Sequence, residues 1–259
     1  MIIRVLSVFA STCLAGATLL GADASFVGKW KLNPDKSKFS GLEEKIEDLG
    51  GDKFKFSFGD DTETIVMDGK EYPAKFGGMW SVKKEGPNSW KSVRTRDGKV
   101  TSSSIWTVSE DGQTFTSTTE GTRVDGSTFK NVFKAKRIAG TSGLAGTWES
   151  TDLKIGSPTE WEIAAYEGDG LSFIRPANKE RLDLKFDGKD YPDKGPRMAE
   201  GSTASGKRID QRTIEVSNKL KGKLVSTDRM ELSEDGKTLT TTTSYPGVAK
   251  TETAVDERQ

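Results

Sequence analysis

The sequence predicts an all-β protein of two tandem antiparallel up-and-down β-barrels, with one short helix in the first barrel. Alternating apolar and polar residues recur along the chain, and short turns containing Asp-Gly separate them, as is typical of β-hairpins. Segments of the first half also return in the same order in the second half. Each half holds about eight predicted strands, a number that suits a closed barrel without exposed edges. A Greek-key sandwich is the alternative, and the short consecutive turns favour the barrel.

The repetition rests on three pairs of matching segments. An apolar residue followed by Gly-x-Trp opens each half, and two Asp-Gly turns with their flanking residues come after it. The spacing between matching positions grows from 118 residues in the first pair to 124 in the last, so the second half contains a longer loop. The pairs are 26–30 (FVGKW) with 144–148 (LAGTW), 67–73 (MDGKEYP) with 186–192 (FDGKDYP), and 109–115 (SEDGQTF) with 233–239 (SEDGKTL).

The N-terminal segment has the pattern of a secretory signal peptide. Arg4 precedes an almost uncharged stretch, and Ala22-Asp23-Ala24 matches an A-x-A cleavage site. We therefore expect an exported protein, periplasmic or extracellular, with no transmembrane span after cleavage. The predicted division is a signal peptide at 1–24, a first barrel at 25–138, a linker at 139–143 and a second barrel at 144–259.

One segment has helical spacing. A capping box begins at Ser40, and the apolar residues Leu42, Ile46 and Leu49 follow at positions i, i+4 and i+7. These observations predict a helix over 41–49.

Composition excludes several classes of function. Lys plus Arg and Asp plus Glu both number 39, and the two signs are interspersed, so no basic patch indicates a nucleic-acid partner. The chain contains no His, and its only cysteine, Cys13, lies in the predicted signal peptide. Catalysis by Ser–His or Cys–His pairs is therefore excluded, as are zinc sites built on imidazole or thiolate ligands. We expect no enzyme activity, no metal and no cofactor. A carboxylate-based hydrolase remains a second alternative.

The Gly-x-Trp segments resemble the first signature of the lipocalin and fatty-acid-binding (calycin) barrels. In that superfamily the tryptophan closes one end of the barrel, and a basic residue of the last strand packs across it. The resemblance implies that Trp30 pairs with Arg137 and that Trp148 pairs with Arg258, because each arginine ends its own half. It also implies that the helix over 41–49 is placed like the lid of a fatty-acid-binding protein.

Aromatic residues of the first half are the candidates for ligand binding. Phe54, Phe56 and Phe58 alternate with polar residues, which places them on one face of a strand. Together with Leu42 and Ile46 they predict a cavity for a small apolar or amphipathic molecule. The alternative is a structural or interaction protein of the cell envelope with filled barrels.

Overall fold

The computed structural model describes residues 26–140 and 142–259, so the predicted signal peptide at 1–24 lies outside the described residues. These residues form twenty β-strands and two one-turn 3-10 helices, Pro34–Lys36 and Pro176–Asn178. All strand pairs are antiparallel. The prediction of an all-β protein is confirmed.

Each half of the chain contributes ten strands, against about eight predicted. The strands of the first half are β1 (Gly28–Leu32), β2 (Glu43–Gly50), β3 (Lys53–Phe58), β4 (Asp61–Val66), β5 (Tyr72–Pro73), β6 (Met79–Gly86), β7 (Ser89–Arg96), β8 (Lys99–Val108), β9 (Thr114–Thr122) and β10 (Thr128–Ala139). Those of the second half are β11 (Gly146–Ile155), β12 (Glu160–Tyr166), β13 (Gly170–Arg175), β14 (Glu180–Leu184), β15 (Tyr191–Lys194), β16 (Ser202–Asp210), β17 (Thr213–Leu220), β18 (Lys223–Leu232), β19 (Thr238–Ser244) and β20 (Glu252–Arg258).

The strands form two ten-stranded sheets. One is a closed barrel in the order β1-β12-β13-β14-β15-β16-β17-β18-β19-β20, which we call the second barrel. The other has the order β4-β3-β2-β11-β10-β9-β8-β7-β6-β5 and is nearly closed; we call it the first barrel. Its two edge strands, β4 and β5, leave a seam in the wall.

The two sheets exchange the opening strand of each half. Strand β1 pairs with β12 and β20, where Trp30 lies opposite Trp161 and Arg258. Strand β11 pairs with β10 and β2, where Trp148 lies opposite Arg137 and Glu44. The predicted linker at 139–143 therefore separates the halves of the sequence, whereas each sheet includes one strand from the other half.

The predicted helix over 41–49 is wrong, because this segment contributes strand β2. Leu42 and Ile46 are buried, while Leu49 is 54% exposed. Positions 42 and 46 differ by an even number, so they share one face of a strand as well as one face of a helix, and position 49 falls on the opposite face of the strand. Pairing with β3 and β11 decides between the two structures.

The matching Asp-Gly segments form the same turns in both sheets. Asp68 accepts from the backbone N–H of Lys70 at 2.9 Å and from the hydroxyl of Tyr72 at 3.0 Å. The hydroxyl of Tyr191 donates to Asp187 at the same distance, 3.0 Å. These side chains replace backbone partners that a tight turn leaves unpaired.

The barrels contact each other at the ends away from their Gly-x-Trp segments. The backbone N–H of Asp60 donates to the carbonyl oxygen of Pro246 at 3.0 Å, and Phe58 packs edge-on against Tyr245 at 5.0 Å. Arg96 donates to the carbonyl oxygen of Pro196 at 3.1 Å. The interior of the first barrel therefore ends against loops of the second.

Candidate functional site in the first barrel

Each barrel is closed at its outer end by a tryptophan beneath an arginine. In the second barrel, Trp30 is fully buried and donates its indole N–H to the carbonyl oxygen of Phe26 at 3.0 Å. The guanidinium carbon of Arg258 lies 4.3 Å from the ring centre of Trp30. The same guanidinium donates to the carbonyl oxygens of Val27 and Gly236, each at 2.6 Å. Stacking and hydrogen bonding together fix this end of the barrel.

The first barrel has the same arrangement. Trp148 donates to the carbonyl oxygen of Leu144 at 2.9 Å, and Arg137 lies 4.1 Å from its ring centre. Arg137 also donates to the carbonyl oxygens of Gly112 at 2.6 Å and Ala145 at 2.7 Å. Burial lowers the pKa of Arg137, which remains a cation at neutral pH.

The predicted pairing of Trp30 with Arg137, and of Trp148 with Arg258, is wrong. Each tryptophan instead lies beneath the arginine that ends the other half. The exchange of β1 and β11 is the physical reason, because each tryptophan moves with its strand into the other sheet.

The glycine of Gly-x-Trp is explained by the same contact. Gly28 has φ +156° and Gly146 has φ +148°, in the range that favours glycine. A Cβ atom at either position would overlap the guanidinium of the arginine above it. The motif therefore provides a tryptophan ring together with space for the cation that covers it.

The aromatic interior next to Trp148 is tightly filled. The ring of Phe56 lies 6.4 Å from that of Trp80 and 6.1 Å from that of Trp106. Phe54 is partly buried against this cluster.

Three of the predicted ligand-binding residues, Leu42, Ile46 and Phe58, line one enclosed cavity together with Phe133 and Trp148. Its free volume is about 10 Å³, which accommodates one water molecule and not a lipid.

Farther from Trp148, the first barrel carries a belt of inward-facing polar side chains. Ser92, Ser104, Thr119 and Asn131 lie opposite one another across β7, β8, β9 and β10. Ser92 accepts the indole N–H of Trp80 at 2.6 Å, and the hydroxyls of Ser104 and Thr119 are 2.8 Å apart.

Asn131 is the exception within this belt. It is 2% exposed, and neither its amide nitrogen nor its amide oxygen has a hydrogen-bond partner among the described residues. An unpaired buried amide costs about 1–3 kcal/mol for each group, so this position favours a guest that can both donate and accept.

A cation and an anion lie near the same aromatic residues. The guanidinium of Arg94 lies 3.7 Å from the ring centre of Trp80. Burial lowers the pKa of Arg94 to about 10, against the attraction of the Glu63 carboxylate, which acts to raise it. Within the described part of the chain, the Arg94 guanidinium has no hydrogen bond and no ion pair.

Glu63 lies on edge strand β4, opposite Phe56 of β3. One carboxylate oxygen accepts from the backbone N–H of Lys75 at 3.1 Å, and the other, Oε2, is buried without a partner among the described residues. The seam between β4 and β5 therefore has an unpaired carboxylate oxygen beside it.

The corresponding polar positions of the second barrel satisfy one another. Asn218 and Asp228 occupy the places of Arg94 and Ser104, and the amide of Asn218 donates to Asp228 at 2.8 Å. Thr243 donates to the other oxygen of Asp228 at 2.7 Å. These polar side chains therefore find their hydrogen-bond partners among themselves.

The other features of the molecule contribute less to a site. An open depression of about 520 Å³ lies where β8 begins, β9 ends and β10 begins, and hydroxyl side chains and the Lys130–Glu120 ion pair form much of its lining. Among residues 26–140 and 142–259, no group of three or more acidic, His or Cys side chains is arranged to hold a metal ion. The same residues include no helix long and apolar enough to cross a membrane.

Comparison of the chain with protein-family models, curated proteins and solved structures gives no match.

Sequence reasoning missed Arg94 and Asn131. Both lie on strands with many polar residues, and alternation alone does not identify which face turns inward. A signal was present at Arg94, because it lies four residues after Trp90 and so shares its face.

Proposed function

We propose that this chain is an exported, lipocalin-like binding protein without enzyme activity, in which the first barrel holds a small hydrogen-bonding molecule. The unpaired amide of Asn131, buried inside the barrel, is the observation that carries the proposal. Buried polar groups in folded proteins are nearly always hydrogen-bonded, and a guest supplies the missing partners. In this proposal the closed second barrel has a structural role and binds no guest.

The proposed ligand class differs from the small apolar or amphipathic molecule that the sequence predicts. The enclosed aromatic cavity has about 10 Å³ of free volume, so an acyl chain has no room beside Phe58 and Trp148. The polar belt and its unpaired groups support a polar guest instead.

Retention of a small molecule tests this function. The purified protein is incubated with the polar and the lipid fractions of a bacterial extract, passed through gel filtration and analysed by mass spectrometry. We expect wild type and Lys130→Gln, whose substitution lies on the outer face of the same strand, to retain a compound of the polar fraction. Asn131→Leu fills the position with an apolar group and is expected to retain none.

Two outcomes contradict the proposal. Failure of wild type to retain any compound would support barrels filled by their own side chains, and equal retention by Asn131→Leu would place the guest elsewhere. Export is tested separately, since a secreted product is expected to begin at Ser25, directly after the Ala22-Asp23-Ala24 segment.

A further inference from the structure

We infer that the guest of the first barrel is a small zwitterion of the α-amino-acid type, with its carboxylate on Arg94 and its ammonium group on Glu63. The inference rests on the proposed function and specifies the chemistry of the same site.

Arg94 supplies the cation of the site. Arg94 is held against Trp80 at 3.7 Å and makes no hydrogen bond through its guanidinium within the described residues. In contrast, Arg137 and Arg258, which also stack on tryptophan rings, each donate hydrogen bonds to backbone carbonyl oxygens. A planar guanidinium fixed on an aromatic face is suited to bind a carboxylate through two parallel hydrogen bonds.

Glu63 supplies the anion of the site. Oε2 of Glu63 is buried and accepts no hydrogen bond among the described residues, while Oε1 is occupied by the backbone of Lys75. A buried carboxylate oxygen without a donor is unfavourable, and an ammonium group donates up to three hydrogen bonds. Lys75 itself is committed to an ion pair with Asp61.

The two charged groups of the site balance each other in charge. The formal charges of Arg94 and Glu63 sum to zero, and the two side chains are not in direct ion-pair contact with each other. A guest with only a carboxylate or only an amine would leave one uncompensated charge in the barrel, which is costly away from water. A zwitterion supplies one partner to each group and keeps the site neutral.

The seam between β4 and β5 lies beside the site. In the second barrel, Leu182 pairs with Asp193 and joins β14 to β15. Glu63 occupies the position of Leu182 in the first barrel, where β4 and β5 are not paired. Side-chain contacts of Lys75 with Glu63 and Asp61, and not a backbone ladder, therefore hold the wall beside one charged group of the site, and we propose this seam as the route of entry.

Binding of single compounds tests the inference. Isothermal titration compares an amino-acid panel with matched carboxylic acids lacking the amine and matched amines lacking the carboxylate. We expect at least one amino acid to bind, and its two truncated analogues to bind about 10- to 100-fold more weakly. Arg94→Gln and Glu63→Gln are each expected to reduce affinity by a similar factor. Arg229→Gln, an exposed arginine of the second barrel, is expected to bind as wild type.

Misfolding of Arg94→Gln is separated from loss of the contact by Arg94→Lys, which keeps the charge and loses the planar fork. The inference is overturned if a carboxylic acid without an amine binds as tightly as the amino acid, or if Glu63→Gln leaves affinity unchanged. If the extract yields a retained molecule that is not a zwitterion, this inference fails while the proposed function stands. If nothing is retained and nothing binds, both fail.

Discussion

The two barrels are alike at their outer ends and differ in their interiors. Both ends place an arginine on a tryptophan, at 4.1 Å in the first barrel and 4.3 Å in the second. In the interior, Asn218, Asp228 and Thr243 of the second barrel hydrogen-bond to one another. At the corresponding level of the first barrel, Arg94 and Asn131 lack such partners.

The two barrels differ in the closure of their walls as well as in the hydrogen bonding of their interior polar groups. Where Leu182 continues the hydrogen-bonded wall of the second barrel, Glu63 of the first barrel bonds through its side chain to the backbone of Lys75. The second barrel is therefore closed, whereas the first has a seam and unpaired interior groups. The binding role that we propose belongs to the barrel with the seam.

The strongest test of the comparison concerns the exchanged strands. Trp30→Ala removes a fully buried ring and is expected to cost about 3–5 kcal/mol. Because β1 lies in the second barrel, hydrogen exchange should accelerate in β12 and β20. Trp148→Ala should instead accelerate hydrogen exchange in β2 and β10, because β11 pairs with these two strands. Faster exchange of β2 and β10 in Trp30→Ala would show that the strands are not exchanged.

A second prediction uses Asp256, a buried acid of the second barrel that has no acidic counterpart at the matching position of the first. Asp256 is 5% exposed and accepts the indole N–H of Trp161 at 2.9 Å, and Ala135 occupies the equivalent position in the first barrel. Burial raises the pKa of Asp256 from 3.8 to about 6, although the hydrogen bond from Trp161 acts to lower it.

The folded state therefore holds this proton more tightly than the unfolded state. Its contribution to the free energy of unfolding falls as the pH rises from about 4 to about 6, by up to about 3 kcal/mol. Asp256→Asn keeps an acceptor for Trp161, so it should match wild type at pH 4 and be more stable at pH 8. Urea unfolding across this range measures the effect. Glu234→Gln, an exposed substitution, should change stability by less than about 0.5 kcal/mol throughout. A constant difference between Asp256→Asn and wild type would refute the assignment.

The smallest predicted effect concerns the two covering arginines. Arg258→Lys and Arg137→Lys each lose the planar contact with tryptophan and part of the hydrogen bonding to carbonyl oxygens. Each should lower the free energy of unfolding by about 1–2 kcal/mol. Equal losses in urea unfolding would support the equivalence of the two ends, and a loss confined to one variant would contradict it.

Much of the fold was predictable because strand signals are local. Alternation and Asp-Gly turns predicted the all-β structure, and these turns form the expected hydrogen bonds at Asp68 and Asp187. The prediction of a helix over 41–49 was wrong because residues four positions apart share one face of a strand as well as one face of a helix. Of the three apolar residues, only Leu49 distinguishes the two structures. For the candidate site, Leu42, Ile46 and Phe58 were brought together, while Arg94 and Asn131 were missed.

The sequence by itself determined that Gly-x-Trp stands near the start of each half and an arginine near its end, because both features are local. Only the tertiary structure decided which tryptophan meets which arginine. Strands β1 and β11 both begin with Gly-x-Trp, so the local sequence does not distinguish between the two pairings. The choice between them depends on how the connecting segments and the facing barrel ends pack in space.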